Sequence, residues 1–335
     1  MKRGFSSEKY ILAQRARVFE RIKKFGRLYL EIGGKLVYDN HASRVLPGYK
    51  KITKINLVKG LGDLEIIYCV NAKDLQSNRT LGENKLTYEK QVLNDLKDIQ
   101  KFKLNPRIIV ITRYTAQKKA REFKKKLEKL GKRVFFHKEI IGYLESPQKA
   151  IKGFENQQYI PVEKNLIILT GPASGSGKMA VALSQIYHEE KLKNKTGFAK
   201  FETFPIWNLS INHPINVAYE AATADLQDRN LIDPYYKKAH NINAVNYNRD
   251  IGNFEILKRI VQKMTKQKNP FGYQSPTEMG INEAKKGIIN DKICRQAAIK
   301  EIKRRYRRYL SEFKHGRETK ATIDRMKEIL RKVIK

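Results

Sequence analysis

The segment from Asn165 to Lys178 constrains the fold of this chain more than any other. It reads Asn-Leu-Ile-Ile-Leu-Thr-Gly-Pro-Ala-Ser-Gly-Ser-Gly-Lys, followed by Met179. An apolar run enters a glycine-rich turn, and the turn delivers a lysine into an amphipathic stretch over residues 178–191. Strand, anion-cradling turn and helix follow one another in the order used by phosphate-binding α/β proteins. The backbone N–H groups of such a turn face phosphate oxygens, and the helix N-terminus adds a partial positive charge.

The match to a Walker-type loop is partial. Counting back from Lys178, the first glycine of Gly-x-x-x-x-Gly-Lys-Ser/Thr falls on Pro172, and Gly171 stands one residue early. The position of the Mg²⁺-binding hydroxyl holds Met179. Anion capture by Gly171, Ser174, Gly175, Ser176, Gly177 and Lys178 survives these changes, but coordination of Mg²⁺ by the usual side chain does not. The expected ligand is therefore a nucleotide or another phosphorylated small molecule, with Ser174 or Ser176 as an added donor. A structural reading stands beside it, in which the glycines let a helix pack closely on a strand.

Around this segment the pattern alternates. Helix is expected over residues 7–25, ended by Gly26, then strand over 27–32, a second short strand over 35–38, and a polar loop over 39–48. A short helix follows over 53–61. Strands are expected at 64–70, 107–112, 133–137, 166–169 and 198–203, with helices at 87–102, 116–130, 178–191 and 213–226. Residues 145–163 read as a connection, 244–247 as a short strand, 254–264 as a helix and 266–290 as loop. Such alternation predicts an α/β fold: a mostly parallel Rossmann-like or P-loop-like sheet with helices on both faces. Two helices over 292–310 and 322–334 add a C-terminal hairpin. Three units are expected, over 1–150, 151–270 and 271–335. The last helix has an apolar face of Ile323, Met326, Ile329, Leu330 and Val333. That face must dock on the body, pair with another copy as a homo-oligomer, or meet a further domain.

Ligands gather at the C-terminal ends of parallel strands. Asp39, His41 and Arg44 follow one strand, Arg113 another, and Arg249 the short strand over 244–247. The arginines suit a phosphate, and His41 and Asp39 are the candidates for proton transfer. Loop capping is the plainer use of the 39–44 cluster. No metal site is expected: Cys69 and Cys294 stand far apart, without a Cys/His cluster. They read as structural thiols of a reducing compartment. With no apolar signal segment and no membrane-length run, the cytoplasm is the expected location.

The net charge is +35. Such a surplus favours encounter with nucleic acid. The lysines, however, are spread along the chain together with many Ile and Asn residues, as A- and T-rich codon usage would produce. The densest patches, 118–126 and 300–308, both fall on expected helices, where charge is usually a solvated face. An RNA-binding module is thus the second reading. One continuous basic face would favour it.

Several segments resemble a bacterial family of uncharacterised proteins classed as a domain of unknown function. They are Gly33-Gly34-Lys35-Leu36, His41-Ala42-Ser43-Arg44-Val45-Leu46-Pro47-Gly48, Gly175-Ser176-Gly177-Lys178-Met179, the run from Phe198 through Asn208, that from Ala218 through Leu226, and Val245-Asn246-Tyr247-Asn248-Arg249-Asp250. The resemblance runs from Phe5 to the C-terminus. It implies a multidomain α/β protein, longer than this chain, with a further α/β domain after the terminal helices. The family pattern has a proline and glycines before Gly175, where this chain has Ala173-Ser174, and it shares Met179. It implies no established reaction.

Overall fold

Strands covered on both faces need apolar side chains on both faces. Residues Ile66–Val70, Ile108–Ile111 and Leu166–Leu169 meet that need and are all buried. The structure, a computed structural model, describes residues 3–81 and 86–333. Seven strands form its main sheet: β1 (Arg27–Ile32), β2 (Glu65–Asn71), β3 (Ile108–Tyr114), β4 (Arg133–Lys138), β5 (Leu166–Thr170), β6 (Thr196–Phe201) and β7 (Gly280–Ile281). Their spatial order is 7-6-1-5-2-3-4, and all pairings are parallel. The sheet takes strands from each of the three expected segments.

The helices are α1 (Ser7–Phe25), α2 (Asn40–Val45), α3 (Thr53–Lys59), α4 (Tyr88–Lys101), α5 (Lys118–Lys129), α6 (Pro147–Glu155), α7 (Lys178–Lys191), α8 (Pro214–Ala222), α9 (Pro234–His240), α10 (Asn248–Thr265), α11 (Asp291–Lys314) and α12 (Lys320–Arg331), with shorter turns between them. They cover both faces of the sheet, giving a Rossmann-like α/β fold with a C-terminal helical hairpin. Many start where a side chain satisfies the first free N–H groups. Ser6, Thr87, Ser146, Asn290 and Thr319 each accept from the backbone of the first turn.

The chain runs outward through β2, β3 and β4. It then returns to place β5 between β1 and β2, and continues to β6 and β7 on the other side of β1. The winding thus reverses at the centre of the sheet. Connections leaving the central strands part there and open a crevice at their C-terminal ends.

Several local expectations are corrected. Residues 35–38 form no strand, because Gly34 and Tyr38 have φ of 67° and 55°, outside the extended region. The expected polar loop at 39–48 contains helix α2, capped by Asp39, which accepts from the N–H of Ala42 at 3.0 Å. The connection over 145–163 contains α6, started by Ser146 as cap and Pro147 in its first turn. The short strand Val245–Tyr247 lies outside the main sheet and pairs antiparallel with Asn230–Ile232. The loop region 266–290 supplies β7.

The apolar face of the last helix is covered within the chain. Ile323, Met326 and Ile329 are buried where α12 packs against α8 and α11. Ile334, the last residue of the expected helix, lies outside the described residues. Among the described residues no helix is long and apolar enough to cross a membrane.

Candidate functional site

The glycine turn leaves β5 at the centre of the sheet. Gly171 must be glycine for space: a Cβ there would stand 2.6 Å from the Cys69 carbonyl oxygen. Gly175 and Gly177 adopt φ of 79° and 81°, which side chains disfavour. A Cβ on Gly177 would also stand 2.8 Å from Thr112. The carbonyls of the turn are held by neighbouring strand ends. Asn71 Nδ2 donates to Gly175 O at 3.1 Å, and Thr112 Oγ1 donates to Ser176 O at 2.9 Å. The N–H groups of Gly175, Ser176 and Gly177 donate to no protein group among the described residues. Lys178 begins α7, with Nζ 3.7 Å from Glu31 Oε1 at the end of β1.

Ser174, Gly175, Gly177 and Lys178 line a cleft of about 880 Å³ above the strand ends. Gly171 and Ser176 do not line it. Both are buried, and the Ser176 hydroxyl packs against Gly171.

The floor of the cleft carries paired charge. Glu31 of β1 and Lys200 of β6 are register partners on adjacent strands. Lys200 pairs with Asp250 in the first turn of α10. Burial pulls the Lys200 ammonium down, but Asp250, Glu31 and Glu202 outweigh it and hold the group above its ordinary value. The Tyr247 hydroxyl donates to Glu202 Oε1 at 3.4 Å. Burial, reinforced by the charge of Asp250, pushes the Glu202 carboxyl up to about 8. At neutral pH this carboxyl keeps its proton.

Asp39, His41, Arg44 and Arg249 also line the cleft, whereas Arg113 does not. Arg113 lies on the exposed side of Glu139, paired at 3.1 Å. Asp39 meets buried Lys54 at 3.0 Å, and Lys54 also donates to the Gly33 carbonyl at 2.8 Å. Burial raises the Asp39 carboxyl, yet Lys54 and the Ala42 N–H bring it below its ordinary value. Asp39 is thus an ionised cap and an anchor for Lys54. Burial lowers the His41 imidazole, which stays neutral with its ring edge-on to Phe204 at 5.1 Å. Arg44 pairs at 2.9 Å with Glu301 of α11, which also holds Arg304 at 2.7 Å and Arg305 at 3.0 Å. Arg249 grips buried Asp228 with Nε and an Nη, each at 2.9 Å.

Helix α4 lines the cleft with Gln91, Asn94, Asp95 and Asp98. The Tyr68 hydroxyl donates to Asp95 at 2.7 Å, which places this helix over β2. Burial raises the Asp95 carboxyl.

Sequence reading did not single out Lys54, Glu31 or Lys200, and took Arg305 and Arg308 only as part of the basic stretch 300–308; all of these line the cleft. One signal was present. Lys200 interrupts the apolar run Gly197-Phe198-Ala199-Lys200-Phe201, and a lysine inside a buried strand requires a partner.

A doubly wound parallel sheet, with a glycine turn and ionic groups meeting at its carboxyl edge, defines a Rossmann-like α/β protein. Within that class, the chain belongs to the family described as "Domain of unknown function DUF1846, N-terminal", which matches residues 3–334. It is 44% identical over 333 residues to a UPF0371 protein of Clostridium tetani (strain Massachusetts / E88), an alignment that covers 98% of this chain and 66% of that protein. It is 42% identical over 336 residues to one from Clostridium botulinum (strain Alaska E43 / Type E3), covering 99% of the chain and 66% of the relative. With one from Clostridioides difficile (strain 630) it shares 41% identity, covering 98% and 66%. The chain therefore spans 66% of the length of these relatives.

Proposed function

We propose that this chain binds a phosphorylated small molecule or nucleotide, with a phosphate group seated on the turn from Ser174 to Lys178. The orientation of the turn carries this reading. Asn71 and Thr112 hold its carbonyls from below, and its N–H groups have no protein acceptor among the described residues. A helix N-terminus and a lysine adjoin the same cleft, so backbone donors, dipole and ammonium converge on one anion. Arg44 and Arg249 add charge to the cleft, while Arg113 acts outside it. For proton transfer to a bound ligand, His41 and Asp39 are joined by Glu202, which stays protonated near neutral pH. Two buried free thiols, Cys69 and Cys294, suit a reducing cytoplasm.

The RNA reading is less well supported. The basic stretch 118–126 lies on α5 beside β3 and β4, whereas 300–308 lies on α11 among α2, α8 and α12. The two patches belong to different packing environments, as expected of dispersed charge.

Calorimetric titration with a panel of nucleotides and sugar phosphates tests the proposal. Lys178→Ala is expected to weaken binding of any phosphorylated ligand at least about tenfold, the scale of one charge-assisted contact. The melting curve establishes that the variant folds. Unchanged affinity would remove the glycine turn as the phosphate site.

A further inference from the structure

At the floor of the cleft, near Lys178, two polar atoms are shielded from solvent and have no hydrogen-bond partner among the described residues. One is Glu31 Oε2, near the end of β1; the other is the Tyr143 hydroxyl, in the segment between β4 and α6. Both residues line the cleft. Their surroundings hold them in place. Glu31 is the register partner of Leu169 in β5 and of Lys200 in β6. The Tyr143 ring meets Phe154 of α6 edge-on at 6.1 Å. Burial raises the Tyr143 phenol and the charge of Glu31 raises it further, so the two groups share one neighbourhood. Buried polar groups are ordinarily satisfied, and leaving one unpaired is costly. Two such atoms in one place mark where a ligand brings a complementary group.

The chemistry of the pair selects that group. An ionised carboxylate only accepts, and Lys178 Nζ stands 3.7 Å from the other Glu31 oxygen, too far for a hydrogen bond. The Tyr143 phenol, held above its ordinary value, keeps its proton and can donate. A phosphate oxygen has no proton to give Glu31 and is repelled by it. A carbonyl can accept from Tyr143 but offers Glu31 nothing. A cation is disfavoured by Lys178 on one side of Glu31 and Lys200 on the other. Among the described residues no cluster of His, Cys, Asp and Glu could hold a metal ion. A hydroxyl group donates to the carboxylate and accepts from the phenol at the same time.

We propose that Glu31 and Tyr143 form a hydroxyl-recognition site beside the glycine turn, so that the ligand is a phosphate ester of a polyol or sugar, with a hydroxyl on one of the carbons nearest the phosphate. The proposal deepens, and rests on, the reading that the turn from Ser174 to Lys178 seats the phosphate. Lys178 sets the spacing. Its ammonium serves the phosphate and stands 3.7 Å from Glu31, so the hydroxyl and the phosphate are close together on the ligand. The cleft, of about 880 Å³, has room for the remainder of such a molecule.

Two phosphate esters with the same carbon skeleton test it: racemic glycerol 3-phosphate, which carries hydroxyls, and propyl phosphate, which carries none. Ligand-observed NMR titration against the chain reads weak affinities of this kind. Glycerol 3-phosphate is expected to bind about tenfold more tightly, the scale of a hydrogen bond to a charged group. Tyr143→Phe should cut that preference to about threefold and leave propyl phosphate unaffected. Without ligand this variant should melt no lower than the wild type, because the hydroxyl it loses has no partner. Glu31→Gln should also reduce the preference, while tightening propyl phosphate by removing a charge that repels it. A purely structural role for Glu31 would weaken both esters alike. Lys178→Ala should weaken both. Equal affinity of the wild type for the two esters, or a preference that survives both Tyr143→Phe and Glu31→Gln, would overturn the hydroxyl site and leave the glycine turn standing. A Tyr143→Phe variant that melts below the wild type would show that the phenol is bonded within the protein, and would remove it from the site. Esters that bind Lys178→Ala as tightly as the wild type would overturn the glycine turn. Binding of neither ester would overturn both.

Discussion

The floor of the cleft and its arginine ledge hold charge in different ways. On the floor, Lys178 faces Glu31, and Lys200 pairs with Asp250 in the field of Glu31 and Glu202. Glu31 and Lys200 are register partners on adjacent parallel strands and so project side by side. On the ledge, Arg44 of α2 and Arg304 and Arg305 of α11 all pair with Glu301, so side chains from two helices share a carboxylate. The floor also includes a group that titrates near neutral pH, Glu202, whereas guanidinium groups stay charged at any physiological pH. The charge of the ledge is thus fixed, whereas the protonation of the floor can change with pH.

The largest expected effect tests the ledge. Glu301→Gln keeps the shape of the side chain but leaves Arg44, Arg304 and Arg305 without their shared anion. Removing one member of a buried ionic cluster costs about 3–5 kcal/mol, discounted here toward about 3 because Arg304 and Arg44 are partly exposed. Urea denaturation measures it. A variant as stable as the wild type would mean that Glu301 does not organise the ledge, and the contrast with the floor would fail.

The next prediction concerns the floor. In the folded chain the Glu202 carboxyl titrates at about 8, and its ordinary value is 4.5. The folded state therefore keeps a proton that the unfolded chain releases, and stability falls as pH rises from 4.5 to 8. Glu202→Gln mimics the protonated form. Its melting temperature relative to wild type should climb between pH 5 and pH 8 and then level off. A gap independent of pH would show that Glu202 is ionised in the fold, and the floor would then be as fixed in charge as the ledge.

A smaller effect is expected at the turn. Gly177→Ala puts a Cβ 2.8 Å from Thr112 on a backbone with φ of 81°. A cost of about 1–3 kcal/mol is expected from strain of this kind. Phosphate uptake at the turn should fall. Uptake equal to that of the wild type would show that the turn does not seat the phosphate.

Much of the central layer was legible before any coordinates. The run 166–169, the glycines and Lys178 have local consequences: apolar residues bury as a strand, Gly175 and Gly177 allow positive φ, and Lys178 opens a helix. The cluster at 39–44 was only half legible. Its residue types pointed toward a ligand, but Asp39 is occupied in capping α2 and anchoring Lys54. Arg113 looked equivalent to Arg249, since each was expected to follow a strand. The strand after 244 pairs in a separate ribbon that brings Arg249 to the cleft, while β3 ends beside Glu139. Nothing in the local pattern distinguishes those two outcomes.

From the sequence alone came the strands β1 to β6 of the main sheet, the turn with its close-packed glycines, and the lysine at the start of α7. Short-range sterics and hydrophobic periodicity set these features within a few residues. The tertiary structure decided which charges meet. Arg44 reaches Glu301, Lys200 reaches Asp250 and Arg249 reaches Asp228 because β5 returns between β1 and β2, and the later helices close over the strand ends. Such partners are chosen by the order of strands in space, which depends on the packing of the whole chain.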